Sequence, residues 1–446
     1  MSEAIHVAPP GIAARMRGIQ ERVRATQTAP GAGWVGLVAI AATAVGIGAF
    51  SWSRVIRNGM QLTGLNRPVG WGVLITDFVF WVGIAHSGTL ISAILYLFRA
   101  RFRTAVYRTA EAMTVFAVMT AGLFPVVHLG RPWFAHWIFP YPNQRHLWVN
   151  FRSPLVWDAF AISTYFVVST LFLLTGLQPD AAALRDVATG WRRKLYALAA
   201  MGWRGTSEEW RHYGRGYLLF AAFATPLVIS VHSVVSWDFA VSLVPGWHST
   251  LFPPYFVAGA ILSGVAMVIT LLIPLRKALR LQELVTPAHL DMLARLVLLT
   301  SLIVSYSYGL EFFLALRGDP TDDRATLIYR ATGDYAPLFW LMITGNCLLP
   351  LSFFFHKVRN SNALLLFVCL FVNVGMWLER FVIVVTSLAH NRIPFDWHTY
   401  RPQPVEIGIT IGSFGWFFLW FLIFLKLMPA VSISELKEDA AEHPHA

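Results

Sequence analysis

The chain alternates between long apolar runs and short polar segments. A helix crossing a hydrocarbon core of about 30 Å needs roughly 20 apolar residues. Ten stretches reach that length: 33–53, 71–98, 106–127, 155–177, 217–237, 254–275, 291–316, 336–355, 363–388 and 407–428. The pattern predicts an all-α integral membrane protein of ten transmembrane helices. FWVGIAHSGTLISAILYLFR of span 2 and YFVAGAILSGVAMVITLLIPLR of span 6 share small residues and a basic exit. A four-span repeat follows, giving two four-helix bundles, spans 2–5 (71–237) and spans 6–9 (254–388), flanked by spans 1 and 10. Segment 1–31 has no early apolar stretch or small-residue cleavage site, so it reads as a retained N-terminal tail. Residues 32–429 form the membrane domain, and 430–446, with ISELKEDAAEHPHA, reads as a short solvated tail.

Length alone, 446 residues, would suit two or three soluble domains. Composition removes that reading: 56% of residues are hydrophobic and only 13% charged, about half the usual soluble share. The net charge of +11 follows topology and not nucleic-acid binding. Of the 35 Lys and Arg, 23 flank the side that bears the termini, 11 flank the other, and Arg380 lies inside a span. The positive-inside rule then places both termini in the cytoplasm of a bacterial inner membrane, with the odd-numbered loops outward, towards the periplasm. Cys347 and Cys369 both sit in apolar runs. Two such thiols cannot carry an iron–sulfur cluster, and no CxxCH haem attachment site is present. Any redox chain therefore continues in a partner.

Ionisable residues inside spans are costly and mark function by default. Asp77 of span 2, His128 at the end of span 3, Asp158 at the start of span 4, and His232 and Asp238 of span 5 all fall towards the outward face. With Trp133, Trp157 and Trp237 nearby, His128, Asp158 and Asp238 suit a quinol head group. Quinol oxidation releases two protons and two electrons, so the site needs hydrogen-bond partners for both hydroxyls and a base. Helix capping and the interfacial aromatic belt explain each residue singly; the coincidence on consecutive helices does not follow from them. His86 in mid-span 2, Glu311 with Tyr306 and Tyr308 in span 7, and Glu379–Arg380 in span 9 form candidate buried polar lines, or structural ion pairs. No two histidines present an obvious bis-histidine haem pair, and no Walker loop, GxSxG elbow or HExxH zinc motif occurs.

GVLITDFVFWVGIAHSGTLISAILYLFR, AEAMTVFAVMTAGLFPVVHLGRPW, SPLVWDAF, SVHSVVSWDF and WLERFVIVVTSLAHNR resemble the NrfD/PsrC family of quinone-interacting membrane subunits. The likeness runs from about Trp34 to Pro429 and is nearest to the ten-span branch, the ActC subunit of alternative complex III. The resemblance implies a subunit that binds no haem or iron–sulfur cluster and takes quinol, menaquinol before ubiquinol, near the periplasmic face. Its quinol pocket falls on His128, Asp158 and Asp238, with Arg131, Trp157 and Trp237 around them. It also implies a periplasmic iron–sulfur subunit docked on the loop Gly130–Pro154, c-type cytochrome subunits and a paralogous NrfD-like membrane subunit. Proton translocation through Asp77, His86, Glu311 and Glu379 is a further implication. Three other readings stand beside this one: a quinone-reducing anchor of a molybdopterin or polysulfide reductase complex, a purely structural anchor, and a secondary transporter. Transporters favour inverted repeats and broken helices at the midplane, whereas this repeat keeps its orientation and its charges sit at one face.

Overall fold

The computed structural model describes residues 10–27, 30–100, 104–139, 151–318 and 321–442. Ten helices among them are long and apolar enough to cross a membrane: α1 (Ala32–Asn58), α2 (Val73–Leu97), α3 (Tyr107–His128), α4 (Pro154–Arg185), α5 (Ser207–Ala240), α6 (Phe252–Ala278), α7 (Pro287–Arg317), α8 (Ala336–Phe354), α9 (Asn362–Ala389) and α10 (Pro404–Leu427). Residues 140–150 of the expected docking loop, and 443–446 of the C-terminus, lie outside the described residues.

The starts of the helices follow local chemistry. Proline, whose missing N–H costs nothing in the first turn, opens α4, α7 and α10. α5 begins ten residues before its apolar run because Thr206 and Glu209 form a reciprocal capping box at its entry. Three spans each contain one π-helical turn, at Leu90–Ile94 in α2, Thr344–Leu348 in α8 and Val382–Thr386 in α9. Such turns are rare and cluster at functional positions.

α2 and α6 lie face to face at the centre. α3, α4 and α5 close one group around α2, and α7, α8 and α9 close the other around α6. α1 packs almost wholly on α10, and α10 in turn rests on α3 and α2, so the flanking spans form one pair on one side. Gly48 and Gly412 set that pair's distance: a Cβ on Gly48 would stand 2.6 Å from the Gly412 Cα. Small residues that let backbones meet are the usual device for helix association in lipid.

The C-terminal segment departs from the expectation of a solvated tail. Beyond α10, Ala430, Val431, Ser432 and Ile433 are buried. Thr109 Oγ1 donates to the Ala430 carbonyl at 2.9 Å, and the Ser434 N–H donates to Asp180 at 2.9 Å. The helix Ile433–Glu442 packs on the helix Pro10–Ala25, where Lys437 donates to Gln20 at 2.6 Å. Both terminal helices thus sit at one end of the bundle, with the α4–α5 and α6–α7 connections; Arg22 pairs with Glu283 there and Tyr196 donates to Gln27. These polar tails carry just enough apolar positions, such as Ile19, Val23 and Leu436, to bury one face each.

Candidate functional site

α4 and α5 are antiparallel neighbours, and each carries a Trp–Asp dipeptide near the end opposite the termini. Like side chains therefore meet. The Trp157 and Trp237 rings touch edge to face with centroids 5.7 Å apart, and the carboxyl groups of Asp158 and Asp238 lie in hydrogen-bond contact. Asp158 is 6% exposed. One oxygen of each carboxyl is buried with no donor, and so is Nδ1 of His128, at the end of α3. Buried polar atoms are normally paired. Three orphans at one end of one bundle therefore ask for a ligand with hydroxyls or for water. Within the described residues no protein hydrogen bond joins His128 to the carboxyl pair. Arg131 and Trp133 are exposed beyond it, and the Trp157 indole donates to the Phe151 carbonyl at 2.5 Å.

His232 is not at this mouth. It lies beside His86 inside the first bundle, with ring centroids 4.5 Å apart, and Tyr165 also stands against His86 at 5.3 Å. The expectation that His232 lies at the outward face is corrected here: α5 runs two turns past His232, about 12 Å, which carries that ring down to the level of His86. The two rings meet edge to face and leave no room for a porphyrin plane between them. His86 Nδ1 is 2.7 Å from the Val82 carbonyl, while its Nε2 and both His232 nitrogens have no partner.

The remaining candidates separate into distinct groups. Asp77 accepts from the Trp377 indole at 2.7 Å and from Thr410 at 2.6 Å, tying α2 to α9 and α10. Glu379 is fully buried, pairs with Arg380 at 2.7 Å, and accepts from the Tyr308 hydroxyl. The Arg380 guanidinium lies 4.1 Å over the Phe256 ring, a cation–π contact in a desolvated setting. Glu311 pairs instead with Arg330 at 2.9 Å. A cavity of about 10 Å³, room for roughly one water, separates Glu311 and Arg330 from Tyr255 and Tyr308. Of the two expected tyrosines only Tyr308 joins this group; Tyr306 is 69% exposed on the opposite face of α7.

Sequence reading missed three polar clusters. Arg330 dips from the short helix Thr321–Thr332 to bond Gly246, Thr386 and Ser387. Arg108, also buried, pairs with Glu111 at 3.4 Å and Asp180 at 3.1 Å, and Tyr217 donates to Glu111 at 3.0 Å. Glu406 accepts from the Gly64 and Gln403 amides and from Tyr400. Burial, and the charge of Glu406 beside it, push the Tyr400 hydroxyl well up, so it stays a donor. A basic and an acidic residue three apart, as in Arg108–Glu111, was the available signal.

Ten apolar spans around buried ion pairs define a multi-pass integral membrane protein. The chain belongs to the family described as polysulphide reductase, NrfD, whose pattern matches residues 61–390. It is similar to a putative membrane subunit of dimethyl sulfoxide reductase from Halobacterium salinarum, with 28% identity over 241 residues, 54% of this chain and 50% of that one. It is also similar to a selenate reductase subunit from Mesobacillus selenatarsenatis, with 21% identity over 86% of this chain and 91% of that one. An Hdr-like menaquinol oxidoreductase integral membrane subunit of Archaeoglobus fulgidus shares 23% identity over 52% of this chain and 49% of its own length. The chain spans about half the length of the first and third of these relatives.

Proposed function

We infer that this chain is the quinol-oxidising membrane subunit of a multi-subunit oxidoreductase of the alternative complex III type. Quinol binds at the mouth built by His128, Asp158 and Asp238, beside the touching Trp157 and Trp237 rings. The observation that carries this reading is the pair of touching carboxyls with orphaned oxygens, beside an orphaned imidazole nitrogen, at one end of one bundle. Oxidation of one quinol to quinone releases two protons and two electrons. The His128 imidazole is placed to take one hydroxyl proton and the carboxyl pair the other; a carboxylate is acceptor-only and becomes a donor once it takes up a proton. The Lys and Arg asymmetry supports a periplasmic mouth, where an iron–sulfur partner would dock on the Gly130–Pro154 loop. From there the electrons pass to c-type cytochrome subunits, with a paralogous NrfD-like subunit alongside. Menaquinol is the favoured substrate, in keeping with the name of the Archaeoglobus relative. Asp77, His86, Glu311 and Glu379 are the positions assigned to proton movement; Asp77, with both oxygens taken, is the most structural of them.

A second reading draws on the other relatives, named as subunits of dimethyl sulfoxide and selenate reductases. There the electrons from the same quinol step go to a terminal reductase in place of haem. Both readings predict that Asp158→Asn lowers quinol turnover by about 100-fold or more, the usual share of a general base, while the complex still assembles. Quinol-analogue binding, followed by tryptophan quenching, should weaken in Asp158→Asn and in His128→Ala. Full turnover in both variants overturns the assignment.

A further inference from the structure

A second apolar space lies along the seam between the two helix groups, away from the carboxyl pair. α2 and α6 floor it and α9 and α10 wall it. It encloses about 440 Å³, inside the roughly 300–1,000 Å³ range of small-molecule sites. Phe80, Met267, Phe414 and Phe418 supply apolar walls. Leu370 and Val374, also lining it, are 46% and 50% exposed on the outer surface, so the groove opens sideways towards lipid.

The polar atoms decide what the groove takes. Trp377 and Thr410 line it but spend their donors on Asp77. Asn373 is only 7% exposed, and its amide nitrogen donates to Thr270 Oγ1 at 3.3 Å. The single proton of the Thr270 hydroxyl goes to the Ala266 carbonyl at 2.8 Å. Thr270 can therefore only accept from Asn373, which fixes the orientation of the amide. Asn373 Oδ1 is left as a buried acceptor with no donor. An acyl chain brings no donor, and an oxidised quinone brings only acceptors. A reduced quinol brings hydroxyl donors on an apolar ring and tail. Asn373 lies 16 residues from the α9 end nearest the carboxyl mouth, about 24 Å along the axis, so this is a separate place.

We propose that the groove between α2, α6, α9 and α10 is a holding site for reduced quinol, entered sideways from the membrane, where a quinol hydroxyl donates to Asn373 Oδ1. The proposal rests on the quinol reading above, and the two fail separately. The probe is a menaquinol analogue with a diazirine on a short alkyl tail, given reduced or oxidised to the assembled complex, with cross-links mapped by mass spectrometry. Reduced probe should label Leu370, Val374 or Phe418 at least tenfold more than oxidised probe. Asn373→Leu should cut that labelling at least fivefold; it removes a donor that Thr270 does not need, so no new buried donor is stranded. Val374→Trp, which fills the groove from the lipid side, should cut it equally if Asn373→Leu fails to fold. Equal labelling by both redox forms, or labelling unchanged in the variants, overturns the proposal. Turnover of Asp158→Asn in the same preparation reads the mouth independently: its loss with an unlabelled groove sinks only the groove, and full turnover with a labelled groove sinks only the mouth.

Discussion

Glu379 and Arg380 show at the residue scale why a charge survives in an apolar interior. Neighbours in sequence, they leave α9 on adjacent faces, yet the guanidinium turns back to the carboxylate at 2.7 Å and spreads over Phe256. Gly259 of α6 makes the room, because a Cβ there would stand 3.2 Å from the guanidinium. Removing one partner of a buried pair strands the other, at about 3–5 kcal/mol, whereas replacing both can be nearly neutral. Arg380→Leu should therefore destabilise the chain by about that amount, and the double variant Glu379→Gln with Arg380→Leu should regain most of it; thermal unfolding followed by tryptophan fluorescence reads both. Equal loss in the single and double variants would mean that Arg380 acts through its packing alone. The Asp158–Asp238 contact was legible at this scale, since two Trp–Asp dipeptides near matching ends of antiparallel spans bring like to like. Arg108 and Arg330 were not: in sequence they read as loop charges of the positive-inside count, and only the fold shows their heads turned inward to Asp180 and Glu311.

At the scale of elements, all ten spans were legible because lipid length and backbone hydrogen bonding leave a helix of about 20 residues as the simplest crossing. Their ends were less so, since capping chemistry and not hydropathy sets them; α5 starts at its capping box and α4 runs on to Arg185. The pairing of α1 with α10 was illegible, as nothing in either apolar run names its partner. The close approaches of Gly408 to Ser51, Gly412 to Gly48 and Gly415 to Ala44 reveal it. Gly412→Leu should force the two backbones apart and cost at least the roughly 1–3 kcal/mol typical of overpacking. Gly36→Leu, on the partner helix α1 but with nothing within 4 Å of a new Cβ, should leave the melting temperature unchanged. An equal shift in both would deny the crossing its role. The π-helical turns are also absent from any hydropathy pattern. Two of the three follow or contain members of one polar cluster, Asn346 in α8 and the residues just after Glu379–Arg380 in α9. Asn346 donates to Tyr308, which donates to Glu379, so the local change of winding in two helices serves a single hydrogen-bonded chain.

For the whole molecule, the question is which end faces which compartment. The helix Pro10–Ala25 and the buried C-terminal segment share one end, and the Trp–Asp pair sits at the other. The basic residues divide 23 to 11 between these ends. This bias orients membrane proteins during insertion, and it holds best for short loops such as these. The proposal of an electron acceptor outside the membrane depends entirely on that orientation, because the carboxyl mouth and the partner must share a side. With Cys347 and Cys369 replaced by alanine, single cysteines at Arg24, Glu208 and Phe395 test it, all three positions being exposed. In right-side-out vesicles a membrane-impermeant maleimide should label the Phe395→Cys variant at once, and Arg24→Cys and Glu208→Cys only after permeabilisation. The reverse pattern would put His128, Asp158 and Asp238 on the cytoplasmic face. The quinol chemistry would then survive, but its protons and its iron–sulfur partner would belong to the inside.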